Sequence, residues 1–111
     1  MRPLCSYPAT VSIDGESDAV SLDEVRQQID ALDREIVSLI AQRQRWVVVA
    51  GAMKADEQAV RAPQRVEQVV AKVRALAEAA GASPDVVERA YRALIAGFID
   101  LELDHHRAST E

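Results

Sequence analysis

One apolar seam runs through more than thirty residues of this chain, and a single arginine interrupts it. Leu22, Val25, Ile29, Leu32, Ile36 and Leu39 follow one another in steps of three and four. That is the stripe of a long helix facing a core or a second helix. The next step lands on Arg43, and the seam resumes at Trp46, Ala50 and Met53. No proline intervenes and Gly51 is the one weak point, so a helix is predicted from about Leu22 to Lys54. That length exceeds an ordinary globular helix and suits one that spans two subunits. A guanidinium on a buried seam is costly unless an anion meets it. Arg43 therefore either pairs with a carboxylate of a neighbouring helix or holds an anionic ligand. Lys54, eleven residues on, falls only about 20° round the same helix.

Two shorter helices follow. Ser21 with Glu24 forms a capping box for the first helix. Asp56 to Ala62 reads as a loop, and Pro63 as the first turn of a second helix. Its apolar face is Val66, Val69, Val70, Val73, Leu76, Ala77 and Ala80, and Gly81 ends it. Ser83-Pro84-Asp85 starts a third helix with the face Val87, Tyr91, Leu94, Ile95, Phe98, Ile99 and Leu101 or Glu102, fraying after His106. The reading is all-α: residues 1–20 a flexible tail, 21–107 one helical domain, 108–111 a short tail. Aromatic residues are 4% of the chain, so its core is lean and oligomerisation is a natural remedy.

Charge and cysteine usage narrow the function classes. The net charge of −5 argues against a general nucleic-acid binder. Cys5 is the one cysteine, which excludes an intrachain disulfide and a cysteine-based zinc site. His105 and His106 are adjacent and diverge on a helix, so they read as a solvated end and not as metal ligands. No long apolar run marks a signal peptide or membrane span, and the cytoplasm is the expected location.

Against this acidic balance, Arg26, Arg43, Lys54 and Arg65 lie on or beside apolar stripes. Arg26 precedes Arg43 by about 25 Å of helix, and Lys54 follows Arg43 by about 16 Å. Arg43 and Lys54 can bracket one small ligand; Arg26 can join them only from a second chain. Such a pocket suits a compact dicarboxylate.

The chain resembles the all-helical chorismate mutases and the related isochorismate pyruvate lyases over about residues 22–106. The matching segments are Val25–Asp33, Ile40-Ala41-Gln42-Arg43, Ala52-Met53-Lys54, Ala62-Pro63-Gln64-Arg65-Val66 and Leu94-Ile95 through Glu102. The resemblance implies an intertwined homodimer with two shared sites and no cofactor or metal. It implies that Arg26 of one chain and Arg43 of the other hold the substrate carboxylates, with Arg65 assisting. It implies that Lys54 donates to the breaking ether oxygen, with Glu102 beside it. The expected reaction is the rearrangement of chorismate to prephenate. Cleavage of isochorismate to salicylate and pyruvate is the alternative, and a non-catalytic helical interaction module the second.

Three positions depart from the mutase pattern. Glu102 stands where glutamine is common, and a carboxyl donates only when protonated. The other reading of Glu102 is a salt bridge to Arg43, Arg45 or Lys54. Val66 stands where many mutases carry a glutamate. The segment from Lys54 to Arg65 and its Ala62–Val66 end are closer to the lyases. Trp46 reads as core or dimer interface, Tyr91 and Phe98 as core, and Arg45, Arg61 and Arg74 as exposed.

Overall fold

The computed structural model describes residues 20–109, so the expected N-terminal tail, Cys5 included, and the last two residues lie outside it. Every regular element among the described residues is a helix. Ser21 opens α1 (Leu22–Ala52) with both halves of the capping box. The Ser21 hydroxyl accepts from the Glu24 N–H at 3.1 Å, and the Glu24 carboxylate accepts from the Ser21 N–H at 2.9 Å.

α1 stops short of Lys54. Met53 caps it, and the Lys54 N–H donates to the Gly51 carbonyl at 3.2 Å. The tightened turn carries Lys54 just past the helix end, not on the continuous helix the seam suggested. The expected loop contains a one-turn helix, α2 (Glu57–Arg61), because Asp56 caps it by accepting from the Ala59 N–H at 2.9 Å.

α3 (Pro63–Ala80) starts on its proline and ends at Gly81, whose φ of 81° is the left-handed conformation glycine adopts freely. Ala62 joins α2 to α3 at φ 36°, ψ 63°, a conformation that costs an L-residue about 1–2 kcal/mol. α4 (Pro84–Ser109) begins beside Ser83, whose hydroxyl accepts from the Val86 N–H at 3.3 Å. It runs beyond His106, where fraying was expected. There the Arg107 guanidinium forks onto Glu57 of α2, with Nε–Oε2 2.8 Å and Nη2–Oε1 3.0 Å.

α4 is the central element: α1, α2 and α3 all meet it. The buried core is Val60 of α2, Val70, Val73 and Ala77 of α3, and Ile95, Phe98 and Leu103 of α4. Leu76, expected on the α3 core face, is exposed because α4 covers the 70–73–77 side. The N-terminal two-thirds of α1 projects away from this core, and the chain extends 64 × 25 × 24 Å. Its seam stays open: Ile29, Leu32, Ile36 and Leu39 are 50–61% exposed. No helix among the described residues is long and apolar enough to cross a membrane.

Ion pairs tie α3 to α4 on the outer face. Arg74 Nη1 donates to Asp85 Oδ1 at 3.0 Å and Glu88 Oε1 at 2.7 Å. Arg92 Nε donates to Glu88 Oε2 at 2.7 Å, and its two Nη atoms fork onto Glu67 at 2.9 and 3.0 Å. Hydrogen bonds from Arg92 and then Arg74 hold the Glu88 carboxyl below its ordinary value of 4.5, and Arg92 does the same to Glu67. A depressed carboxyl contributes stability that is present above its unfolded value and is lost as pH falls through the folded one. Melting temperature should therefore drop on acidification below about pH 4.5. Replacing Glu88 by glutamine should flatten that acid arm; a Glu88→Gln melt profile that follows wild type at every pH would show that the network carries no linked stability.

Candidate active site

Four helices and one turn line a cavity of about 320 Å³. That is the lower end of the range for small-molecule sites. α1 contributes Arg43, Trp46, Val47 and Ala50, and the turn after it Lys54. α2 and the junction add Val60, Arg61 and Ala62; α3 adds Arg65, Val66 and Val69; α4 adds Ile95, Phe98, Ile99 and Glu102. Apolar side chains form the walls, and five charged groups point at the space.

Each charged group is positioned by a different feature of the chain. Arg43 is half-buried, with its guanidinium carbon 5.5 Å from the Phe98 ring centre and 5.8 Å from that of Tyr91. Two aromatic faces support the cation, a contact worth about 0.5–2 kcal/mol depending on desolvation, without neutralising it. Lys54 Nζ donates to Glu102 Oε2 at 2.9 Å. Glu102, 7% exposed, is the one charged residue in the buried core. The pairing fits the salt-bridge reading of Glu102 and selects Lys54 among the three cations considered. The ammonium keeps two further N–H donors beyond Glu102. On the other side, His106 Nε2 lies 3.2 Å from the Lys54 carbonyl oxygen. With the Arg107–Glu57 fork, the end of α4 thus holds the turn that carries Lys54 at both sides.

The balance of charge is the chemical signature. Glu102 is the one carboxylate in the lining, and it is engaged by Lys54. Arg43, Arg61 and Arg65 make no salt bridge among the described residues, although Arg61 lies close enough to Glu57 to help Arg107 lower that carboxyl. By contrast, Arg74, Arg92 and Arg107 on the outer surface each meet glutamates. Three guanidiniums free of salt bridges beside apolar walls offer the groups that a compact polyanion with an apolar body would need. Among the described residues no cluster of His, Cys, Asp and Glu has the makings of a metal cage.

Of the five residues singled out in the sequence, the fold brings Arg43, Lys54, Arg65 and Glu102 to one cavity. Arg26 stands apart, exposed on the projecting stretch of α1. Trp46 is not core within the chain: it is 73% exposed at the cavity edge. Arg61, read as exposed, is exposed, and it also lines the cavity mouth. Its i, i+4 spacing to Arg65 was the available signal, masked by Pro63. Tyr91 and Phe98 were read as core alone. Their spacing of seven and then four to Glu102 puts all three on one face of α4, toward Arg43.

Comparison with known proteins agrees with this geometry. Residues 25–103 match the family model described as chorismate mutase type II. An isochorismate pyruvate lyase of Pseudomonas aeruginosa is 30% identical over 90 residues, which cover 81% of this chain and 89% of that protein.

A rigid cyclic dicarboxylate should therefore raise the melting temperature and bind with measurable heat. Arg43→Ala and Arg61→Ala should each weaken its binding about tenfold, the effect of losing a hydrogen bond to a charged group. Arg89→Ala, exposed on α4 and outside the cavity, should not. Equal affinities for Arg61→Ala and Arg89→Ala would remove Arg61 from the site.

Proposed function

Since the chain belongs to the chorismate mutase type II family, we propose that it binds chorismate in this cavity and rearranges it to prephenate. The carrying observation is the set of cavity arginines without salt bridges beside a lysine fixed by a buried carboxylate. The reaction asks little of functional groups. An ether C–O bond breaks and a C–C bond forms within one molecule, with no nucleophile, metal or cofactor. Two things lower its barrier: holding the enolpyruvyl arm over the ring, and stabilising negative charge as it grows on the ether oxygen.

The residues divide these tasks. Arg43 and Arg65 hold carboxylates, with Arg61 closing the cavity mouth as a third cation. Lys54 offers its free N–H bonds to the ether oxygen. Glu102, as the ionised partner of Lys54, fixes the ammonium in place; it is an anchor and not a second donor. Val66 leaves the ring side of the site apolar at this point.

A second reading is isochorismate cleavage, in which the same ether bond breaks while a ring hydrogen moves to the enolpyruvyl methylene. Pyruvate then leaves and the ring becomes salicylate. The lyase relative, Val66 and the Ala62-Pro63-Gln64-Arg65-Val66 segment favour it. A purely structural role for the cations would yield neither reaction.

Side-by-side incubation with chorismate and isochorismate, with products separated and identified, distinguishes the three. Prephenate is the expected product; salicylate with pyruvate overturns the mutase assignment, and no turnover of either overturns both. On the preferred substrate, loss of the Lys54 donor should lower kcat by about 10²–10³. Lys54→Ala also strands a buried carboxylate, costing about 3–5 kcal/mol of stability. The Lys54→Ala/Glu102→Gln double variant separates that cost from the rate, and near-normal turnover there would end the donor role.

We further propose a homodimer with shared sites. The open seam of Ile29, Leu32, Ile36 and Leu39 is the surface a second α1 would cover. The approximately 25 Å between Arg26 and Arg43 along one helix means that Arg26 serves the partner's cavity. Inactive Arg26→Ala and Arg43→Ala chains, exchanged into heterodimers, should regain part of the activity. Verified heterodimers that stay inactive would refute sharing.

A further inference from the structure

Gly51 is a helical glycine that is buried, the last residue but one of α1. Glycine is a poor helix former, so its presence within a helix needs a reason. Its backbone is not left-handed: Gly81 is the glycine with positive φ among the described residues. The reason is space. A Cβ at Gly51 would lie 2.9 Å from Glu102 Oε2, 3.0 Å from its Cγ and 3.3 Å from its Cδ. The first is closer than real Cβ contacts come and the other two are tighter than most, so the Glu102 side chain would have to shift. Gly97 on α4 differs, for a Cβ there meets nothing within 4 Å.

The place of this contact gives it meaning. Glu102 Oε2, the atom nearest the missing Cβ, is also the atom that receives the Lys54 hydrogen bond. Gly51 precedes Lys54 by three residues, and its carbonyl accepts the Lys54 N–H. Behind Gly51 lies a second cavity, of about 630 Å³, whose walls include Val48, Gly51, His105 and Glu102. Glu102 is the residue common to both cavities, so its side chain forms the partition between them.

We propose that Gly51 is a positioning residue for the reaction. Its bare backbone lets the Glu102 side chain lie flat across α1, and that pose sets the carboxylate on the Lys54 ammonium. A methyl group at this position lifts the carboxylate off Lys54 and leaves the ammonium free to swing out of line. The catalytic part of this inference rests on Lys54 acting as the ether donor; the steric part does not.

The test separates the two. Gly51→Ala should lower the melting temperature by about 5–10 °C, as overpacking does. In a Glu102→Ala background the same change should raise it by about 4 °C, because alanine is then simply the better helix former. A change of the same sign in both backgrounds, or an unfolded protein in both, overturns the proposal. The chain has two lysines, Lys54 and Lys72, so the side-chain ammonium resonances are readily assigned. The slowly exchanging Lys54 signal of the ion pair should vanish in Gly51→Ala while Lys72 is unmoved; its persistence would also overturn the proposal. On the preferred substrate, Gly51→Ala should lower kcat at least tenfold with KM within about threefold, and add no further loss to Glu102→Ala. An absence of turnover in the parent protein would defeat the proposed reaction while the melting and resonance results still decide the steric claim.

Discussion

α1 is longer than anything in its own chain that could cover it. Its 31 residues meet a core supplied by helices of 18 and 26 residues, and they meet it near one end. The C-terminal turns of α1 lie against α4 and give the cavity its Arg43 wall. The earlier turns present the same stripe to solvent. One stripe thus serves two purposes along its length, and Arg43 stands where the purpose changes. The cation can sit on the seam because Tyr91 and Phe98 replace the aliphatic neighbours it would otherwise meet.

Charge arranges the rest of the molecule around that fact. Outside, acids and arginines are interleaved, and forks such as Arg92 on Glu67 and Arg107 on Glu57 bring helices together. Inside, the acids are withheld. A chain of net charge −5 brings Arg43, Arg61 and Arg65 to one cavity whose single carboxylate is engaged by the lysine. Under the proposed function, an anionic ligand would pair with these guanidiniums, so that its binding would add to stability. Stability and affinity are therefore linked at this cavity through the same side chains.

Much of this was legible in the residues, and the exceptions have physical causes. Helix starts were readable because Ser21, Pro63 and Ser83-Pro84 each carry a local signal that tertiary packing does not override. The break in step at Arg43 pointed to the cavity because a cation on an apolar seam is unusual whatever the fold. What periodicity could not give was depth. It puts Leu76 and Ile36 on apolar stripes, yet both are exposed in the chain, because burial depends on which side of a helix finds a neighbour. Nor could it reveal α2. Five residues are too few for a period, and the turn is held by the cap at Asp56, the burial of Val60 and the fork to Arg107. Arg61 is exposed, as its sequence suggested; that it also lines the cavity depends on Ala62 adopting a backbone conformation that alanine seldom takes.

The two chain ends are unequal in what they leave undisturbed. The last turns of α4 do not line the first cavity beyond Glu102, yet His106 touches the backbone of Lys54 and Arg107 grips the turn that follows it. Anything fused, trimmed or cleaved at the carboxyl end acts through those two contacts on the position of an ammonium group. The amino end of α1 lies several turns from the cavity of its own chain. An affinity handle or reporter joined there leaves that clasp intact, whereas the same group joined past Arg107 enters the mechanics of the site.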